Sequence, residues 1–77
     1  MTIKETVKAI MEEIKPTVDM EDVDDIIDGG YLDSLEFMSM ISALNDQFGI
    51  EIDVDDIIPE NFNSLAAIEA LVSKLKQ

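Results

Sequence analysis

The chain has 77 residues, of which 47% are hydrophobic, and it carries a formal net charge of −13 at pH 7. A chain of this length can bury one core but has little room for an enclosed active site, so we expect residues 1–77 to form a single domain. The absence of cysteine and histidine excludes disulfides and cysteine-ligated zinc, and it removes the usual activator of a hydroxyl nucleophile. We therefore expect a folded protein that is not an enzyme and holds no metal ion.

The charge is distributed unevenly along the chain. All five lysines lie near the two ends, and residues 16–73 contain fifteen acidic residues and no basic residue. Such a surface repels nucleic acid and anionic membranes and attracts basic protein surfaces. Charged residues recur along residues 1–15 and no long apolar run exists, so we expect no signal peptide, no membrane insertion and a cytoplasmic location.

Thr2 and Glu5 have the spacing of a capping box and predict the start of a first helix, which Pro16 ends. The acidic segment 16–32 has no sustained helical period but contains scattered apolar residues. We expect it to be an ordered connection with room for a short helical turn. The predicted core face of the first helix consists of Ile3, Val7, Ile10, Met11 and Ile14.

A second helix is predicted over residues 34–48, after the chain is interrupted by Gly29-Gly30. Asp33 and Glu36 repeat the capping-box spacing at its start. The helical period places one set of residues on a core side and another set on an exposed side. The predicted core residues are Phe37, Met40, Ile41, Leu44 and Phe48. The predicted exposed residues are Leu35, Met38, Ser39, Ser42 and Asp46.

Gly49 is well placed to follow the end of the second helix, and residues 50–52 are too short and isolated to predict a strand. One helical turn is expected within residues 53–58, before Pro59. Asn63 or Ser64 then caps a last helix, whose apolar residues recur at helical spacing. The predicted fold class is therefore all-α, a small bundle of three main helices plus one short helix.

Ser34 is the candidate for a covalent modification. It occupies the first turn of a helix directly after a glycine-containing loop, where unpaired N–H groups and the helix dipole favour an anion by about 0.3 to 1 kcal/mol. A phosphodiester on Ser34 suits that position, with Asp33 as a modest opposing charge. The residues alone leave open that Ser34 is an ordinary helical residue and Asp33 an ordinary cap.

The segment Asp33-Ser34-Leu35 resembles the attachment motif of the acyl carrier protein and peptidyl carrier protein family. The similarity includes Gly30-Tyr-Leu before this motif, the amphipathic helix after it, Ile50-Glu-Ile52 and Asn61-Phe-Asn-Ser-Leu. It covers roughly residues 26–75, which makes it far more specific than the three-residue motif alone.

The resemblance implies an acyl-carrier-protein-like bundle in which Ser34 carries a 4'-phosphopantetheine arm, transferred from coenzyme A by a separate phosphopantetheinyl transferase. The terminal thiol of the arm would hold an acyl or aminoacyl cargo as a thioester. The implied partners are that transferase, an acyl- or aminoacyl-loading enzyme, and downstream synthases or transferases. We expect the carrier to be a monomer that binds these partners in turn.

The exposed side of the second helix departs from many fatty-acid carriers, because it offers Ser39, Ser42 and Asn45 where they have glutamates. The segment 59–64 looks more like carriers of polyketide, nonribosomal or D-alanyl-transfer systems. We therefore expect a specialised fatty-acid, polyketide, nonribosomal or D-alanyl-transfer pathway.

A partner face is predicted beside Ser34 on the exposed side of the second helix. Leu35 and Met38 would supply apolar contact, because exposed apolar clusters often mark contact sites. Acidic residues would mainly steer the encounter with a basic partner. The full predicted face consists of Leu35, Met38, Ser42, Asp46, Asp55 and Asp56.

Two other interpretations compete with a carrier protein. A calcium-binding loop starting at Asp24 has glycine at its sixth position, but Ile26 at the third and Leu35 at the twelfth replace required oxygen ligands. An acidic adaptor or nucleic-acid mimic that binds basic protein surfaces is compatible with the charge. It has no need, however, of an Asp-Ser pair at a helix start after paired glycines.

Overall fold

A computed structural model of the chain describes residues 2–76, which form four α-helices and two 3₁₀ turns without any strand. The helices are α1 (Ile3–Ile14), α2 (Ser34–Phe48), α3 (Pro59–Phe62) and α4 (Leu65–Leu75). The 3₁₀ turns span Met20–Asp22 and Val54–Asp56. The predicted all-α bundle of three main helices and a short one is confirmed.

Local signals in the sequence fix the ends of the first two long helices. The predicted capping box of α1 is present, with the N–H of Glu5 donating to Thr2 Oγ1 at 3.1 Å and the N–H of Thr2 donating to Glu5 Oε1 at 2.9 Å. The backbone N–H of Thr2, followed by its side-chain hydroxyl, stabilises the carboxylate and lowers the pKa of Glu5. At the end of α2, Gly49 adopts a left-handed conformation with φ of +62° and donates its N–H to the carbonyl of Asn45.

The core forms where α1 packs against both α2 and α4, and α3 packs against α4. The connections contribute to it as well, since Met20, Ile26 and Ile52 are buried. The acidic connection between α1 and α2 is therefore ordered by its apolar residues, as predicted. The buried core residues are Val7, Ile10, Met11, Met20, Ile26, Met40, Ile41, Leu44, Ile52, Phe62, Leu65, Ile68, Leu71 and Val72.

The segment before α4 differs in detail from the sequence prediction. A 3₁₀ turn forms before Pro59 as expected, but a further short helix, α3, begins at Pro59 itself. Proline is favourable there because the first N–H of a helix has no partner within the helix. Ser64 caps α4 by accepting the N–H of Ala67 at 3.0 Å, and Asn63 has a different role.

Within residues 2–76, no helix is long and apolar enough to cross a membrane. The cytoplasmic location stays a prediction. In the same part of the chain, no group of three or more acidic side chains is placed to hold a metal ion, and this includes the acidic segment before α2.

Candidate functional site

Ser34 is the first residue of α2, and its side chain is exposed. The helix start is fixed by the predicted capping box: Asp33 Oδ1 accepts the N–H of Glu36 at 2.8 Å, and Glu36 Oε1 accepts the N–H of Asp33 at 3.0 Å. The carbonyl of Asp33 also accepts the N–H of Phe37 at 2.9 Å. The position of Ser34 is therefore set by hydrogen bonds on both sides of it.

The loop before Ser34 requires both of its glycines, for different reasons. Gly30 has φ of +72°, a backbone conformation that other residues rarely adopt. A Cβ on Gly29 would lie 2.7 Å from the carbonyl oxygen of Asp25 and 2.9 Å from the Tyr31 ring. The loop closes where the N–H of Tyr31 donates to the carbonyl of Ile26 at 3.2 Å. These contacts turn the chain into the start of α2.

Polar groups at the start of α2 are available to a ligand. Among residues 2–76, the Ser34 hydroxyl has no hydrogen-bond partner, and neither have the N–H groups of Ser34 and Leu35. Such unpaired N–H groups and the positive end of the helix dipole suit a phosphate group. The Ser34 oxygen can therefore be approached and modified without breaking an existing hydrogen bond.

A pocket of about 260 Å³ opens beside Ser34. It lies between the start of α2 and the segment that contains α3, and its walls are mostly apolar. Two of its lining rings, those of Phe37 and Phe62, contact each other edge to face, with centroids 5.4 Å apart and an interplanar angle of 82°. The lining residues are Ile27, Leu32, Asp33, Ser34, Phe37, Ile57, Ile58, Pro59 and Phe62.

The predicted partner face is exposed for the most part. Leu35 and Met38 are 80% and 59% exposed, and Ser42, Asp46 and Asp55 are exposed as well. Asp56 is only partly exposed, and its Oδ2 accepts the N–H of Asp53 at 3.4 Å in a further capping box.

Two apolar residues at this surface were missed by the sequence analysis. Val54 is 80% exposed and Ile58 is 40% exposed, and Ile58 lines the same pocket as Ser34. Asp53, Asp55 and Asp56 surround Val54 in the sequence, and this isolated position among acids is the signal that could have indicated its exposure.

Asn63 connects the loop before Ser34 to the junction of α3 and α4. Its Oδ1 accepts the N–H groups of Ile27 at 3.0 Å and Asp28 at 3.1 Å, and its Nδ2 donates to Asp28 Oδ2 at 3.0 Å. Its backbone carbonyl accepts the N–H of Ile26 at 2.9 Å. The sequence analysis considered Asn63 only as a helix cap, because no local pattern indicates partners 35 residues away.

A family model described as the phosphopantetheine attachment site matches residues 2–72, which is nearly all of the chain. The chain belongs to the phosphopantetheine-binding carrier protein family. A search of curated proteins found no match to the chain. Carrier proteins of this family hold 4'-phosphopantetheine covalently on a serine, and the start of α2 fits such a group because it combines a free hydroxyl, unpaired N–H groups and an adjoining pocket.

Proposed function

We propose that Ser34 is the serine that carries the 4'-phosphopantetheine arm of this carrier protein. The observation that carries the proposal is the combination of an unbonded hydroxyl, a helix start and a pocket at a single serine. Ser64 is less suitable, because its Oγ caps α4 by accepting the N–H of Ala67. The other three serines, Ser39, Ser42 and Ser73, lie inside helices and do not line the pocket.

The residues of this chain bind and orient rather than catalyse in the proposed function. The Ser34 oxygen would bond to phosphorus as the pyrophosphate bond of coenzyme A breaks and its nucleotide half leaves. The transferase would supply the base that takes the serine proton, because no side chain among residues 2–76 hydrogen-bonds the Ser34 hydroxyl. The unpaired N–H groups at the start of α2 would favour the negative charge of the phosphate when the group is attached. When bound, the group supplies a terminal thiol that holds an acyl or aminoacyl cargo as a thioester. We propose on these grounds that the protein is not an enzyme.

The pocket beside Ser34 is proposed to accommodate an apolar segment of the arm or its cargo. Its volume of about 260 Å³ lies just below the range of about 300 to 1,000 Å³ that is usual for small-molecule sites. It therefore suits a short segment better than an entire long acyl chain. Apolar walls from Phe37, Ile57 and Phe62 favour hydrocarbon over water there.

The proposed partners are a phosphopantetheinyl transferase, an acyl- or aminoacyl-loading enzyme and downstream synthases or transferases. They would contact Leu35 and Met38, together with the exposed Val54 and the pocket-lining Ile58, through apolar surface. The acidic residues of the face, which are Asp46, Asp55 and Asp56, suit a partner with a basic rim.

We propose that this carrier serves a specialised pathway of the fatty-acid, polyketide, nonribosomal or D-alanyl-transfer type. We further propose that it acts as a monomer and that residues 1–77 form a single carrier domain. The support is the exposed side of α2, which presents Ser39 and Ser42 rather than a row of glutamates. Partners of such a face must rely on apolar contact and hydrogen bonds more than on charge.

The test is incubation of the protein with coenzyme A, magnesium and a broad-specificity phosphopantetheinyl transferase, followed by peptide mapping of the added mass. The proposal expects one addition, on the peptide containing Ser34, and no addition to Ser34→Ala. Ser39→Ala serves as the matched control, since Ser39 lies on the same helix, and should be modified like the wild type. Modification at another residue, or none, would reject Ser34; the complete absence of modification would favour an acidic adaptor.

A further inference from the structure

Among residues 2–76, the Asn63 side chain makes more hydrogen bonds to residues distant in the sequence than any other side chain does. It bonds to Ile27 and Asp28, which are 36 and 35 residues earlier in the sequence, and its backbone carbonyl bonds to Ile26. We call these four hydrogen bonds the Asn63 clip. They hold the loop that leads to Ser34 against the junction of α3 and α4.

Both segments that the clip joins contribute residues to the pocket. Ile27 lines the pocket and donates its backbone N–H to Asn63 Oδ1, while Phe62 also lines the pocket and directly precedes Asn63. Most of the pocket-lining side chains are apolar and impose no fixed spacing on these two segments, because dispersion contacts are not directional. Hydrogen bonds are directional, so the clip fixes the distance between the two segments.

We propose that Asn63 is a positioning residue that holds the pocket closed around an apolar cargo segment, and thereby determines how well the thioester is shielded from water. The role rests on the proposed function, since it requires an arm on Ser34. Its physical basis is that water would replace the three side-chain hydrogen bonds of the clip if the amide were removed, and only the backbone bond to Ile26 would remain. The loop around Ile27 could then move away from Phe62, and the pocket would lose its shape.

The clip itself is tested on the unmodified protein by amide hydrogen exchange. Asn63→Ala should speed the exchange of the Gly30 and Tyr31 amides by about two- to tenfold, because the entire loop opens more often. These two amides bond within the loop and not to Asn63, so their exchange reports on the opening of the loop. Asn45→Ala is the matched control, since Asn45 likewise bonds a backbone N–H, that of Ile52, but far from the pocket. The control should leave exchange at Gly30 and Tyr31 unchanged.

The positioning role is tested by the cleavage of thioesters with hydroxylamine. Octanoyl and acetyl forms of each variant are prepared by transferase modification with the corresponding acyl-coenzyme A. Cleavage rates are measured under conditions in which circular dichroism shows that the variant is folded. The measured quantity is the octanoyl-to-acetyl ratio, the cleavage rate of the octanoyl form divided by that of the acetyl form. Asn63→Ala should raise this ratio by about two- to tenfold, because the acetyl form has little apolar surface to bury. Asn45→Ala should leave this ratio at its wild-type value.

A charge exchange keeps the inference testable if Asn63→Ala fails to fold. Asn63→Asp places a second carboxylate beside that of Asp28 and should raise the ratio. Asp28→Asn alone keeps an oxygen that accepts from the Asn63 amide and should leave the ratio unchanged. Combining Asn63→Asp with Asp28→Asn restores the donor and acceptors in exchanged positions and should return the ratio to the wild-type value.

Two failures have different meanings. If the wild type accepts no arm, the proposed function is rejected and the shielding role with it. If Ser34 is modified but the octanoyl-to-acetyl ratio is the same in the wild type, Asn63→Ala and Asn63→Asp, the proposed function stands and the positioning role of Asn63 is wrong.

Discussion

The ammonium group of Lys15 lies 3.2 Å from Oε2 of Glu36. Lys15 follows the last residue of α1, and the other oxygen of Glu36 accepts the N–H of Asp33 at the start of α2. One carboxylate thus connects the end of α1 to the residue that precedes Ser34. Both side chains of the pair are partly exposed, so the capping bond should contribute more to stability than the ion pair.

Substitutions at Glu36 separate these two contributions. Glu36→Ala removes the capping bond and the ion pair and should lower the free energy of unfolding by about 1 kcal/mol or more. Glu36→Gln keeps an oxygen that can accept the Asp33 N–H and should cost less than about 1 kcal/mol. Urea unfolding followed by circular dichroism measures both. Equal losses in the two variants would mean that the ion pair, and not the cap, holds this helix start.

The long helices of this protein were predictable because their signals are local. The spacing of Thr2 and Glu5, that of Asp33 and Glu36, and the glycine after Phe48 each determine a helix end within a few residues of themselves. The apolar period then determines which side of each helix is buried. Helix α3 was missed because Pro59 was interpreted only as a helix breaker, although proline is well suited to a first helical position.

The two glycines before Ser34 should respond differently to substitution. Gly30→Ala should cost about 1 to 2 kcal/mol because of the positive φ, and Gly30→Asn should cost less, since asparagine tolerates that conformation better. Gly29→Ala should cost about 1 to 3 kcal/mol, because its Cβ would meet the backbone oxygen of Asp25. Gly29→Asn should bring no relief. Thermal unfolding compares all four, and recovery by asparagine at residue 29 would contradict the steric account.

Substitutions in the apolar and in the acidic part of the proposed partner face should slow the modification of Ser34 with different salt dependence. Leu35→Ala and Met38→Ala should each slow transferase modification of Ser34 about fivefold or more at every salt concentration, because truncating a central contact commonly costs over 1 kcal/mol. Asp46→Asn and Asp55→Asn should slow it chiefly at low salt, since screening removes the steering effect.

The control for this face is Glu51→Gln, an exposed acidic residue beyond the far end of α2, about 20 Å from Ser34 along the helix. Initial rates should be compared at two salt concentrations, after circular dichroism has verified folding. If Leu35→Ala and Met38→Ala react at the rate of the control, the contact surface lies elsewhere on the protein.

The ion pair between Lys8 Nζ and Glu21 Oε2, 2.7 Å apart, should give a pH-dependent contribution to stability. The hydrogen bond and the charge of its partner lower the pKa of Glu21 and raise the pKa of Lys8. The contribution of Glu21 is lost as the pH falls below about 4.3, and that of Lys8 is lost as the pH rises above about 10.4.

The measurement is the difference in unfolding free energy between the wild type and Lys8→Met across this pH range. The wild type should be slightly more stable between these limits, by an amount that salt reduces because the pair is exposed. The difference should shrink on both the acidic and the alkaline side. A difference that is constant from acid to alkaline pH would show that Lys8 acts through its hydrocarbon chain instead.

The parts of the site that sequence reasoning missed depend on tertiary contacts. Asn63 has a local alternative as a helix cap, and only the fold brings it to Ile27 and Asp28. The pocket likewise requires residues from α2 and α3 to meet, which a period within one helix cannot indicate. The place of Ser34 at the start of α2 was predictable, because the cap and the glycines that fix it are adjacent in the sequence.

The most direct test of the central claim is a count of thiols. The chain contains no cysteine, so the unmodified protein should give no reaction with a thiol-specific reagent in denaturant. After treatment with coenzyme A and a phosphopantetheinyl transferase, and removal of excess coenzyme A, the wild type should give one thiol per chain and Ser34→Ala should give none. A wild type that remains without a thiol, or a Ser34→Ala variant that gains one, would contradict the assignment of Ser34 as the attachment site.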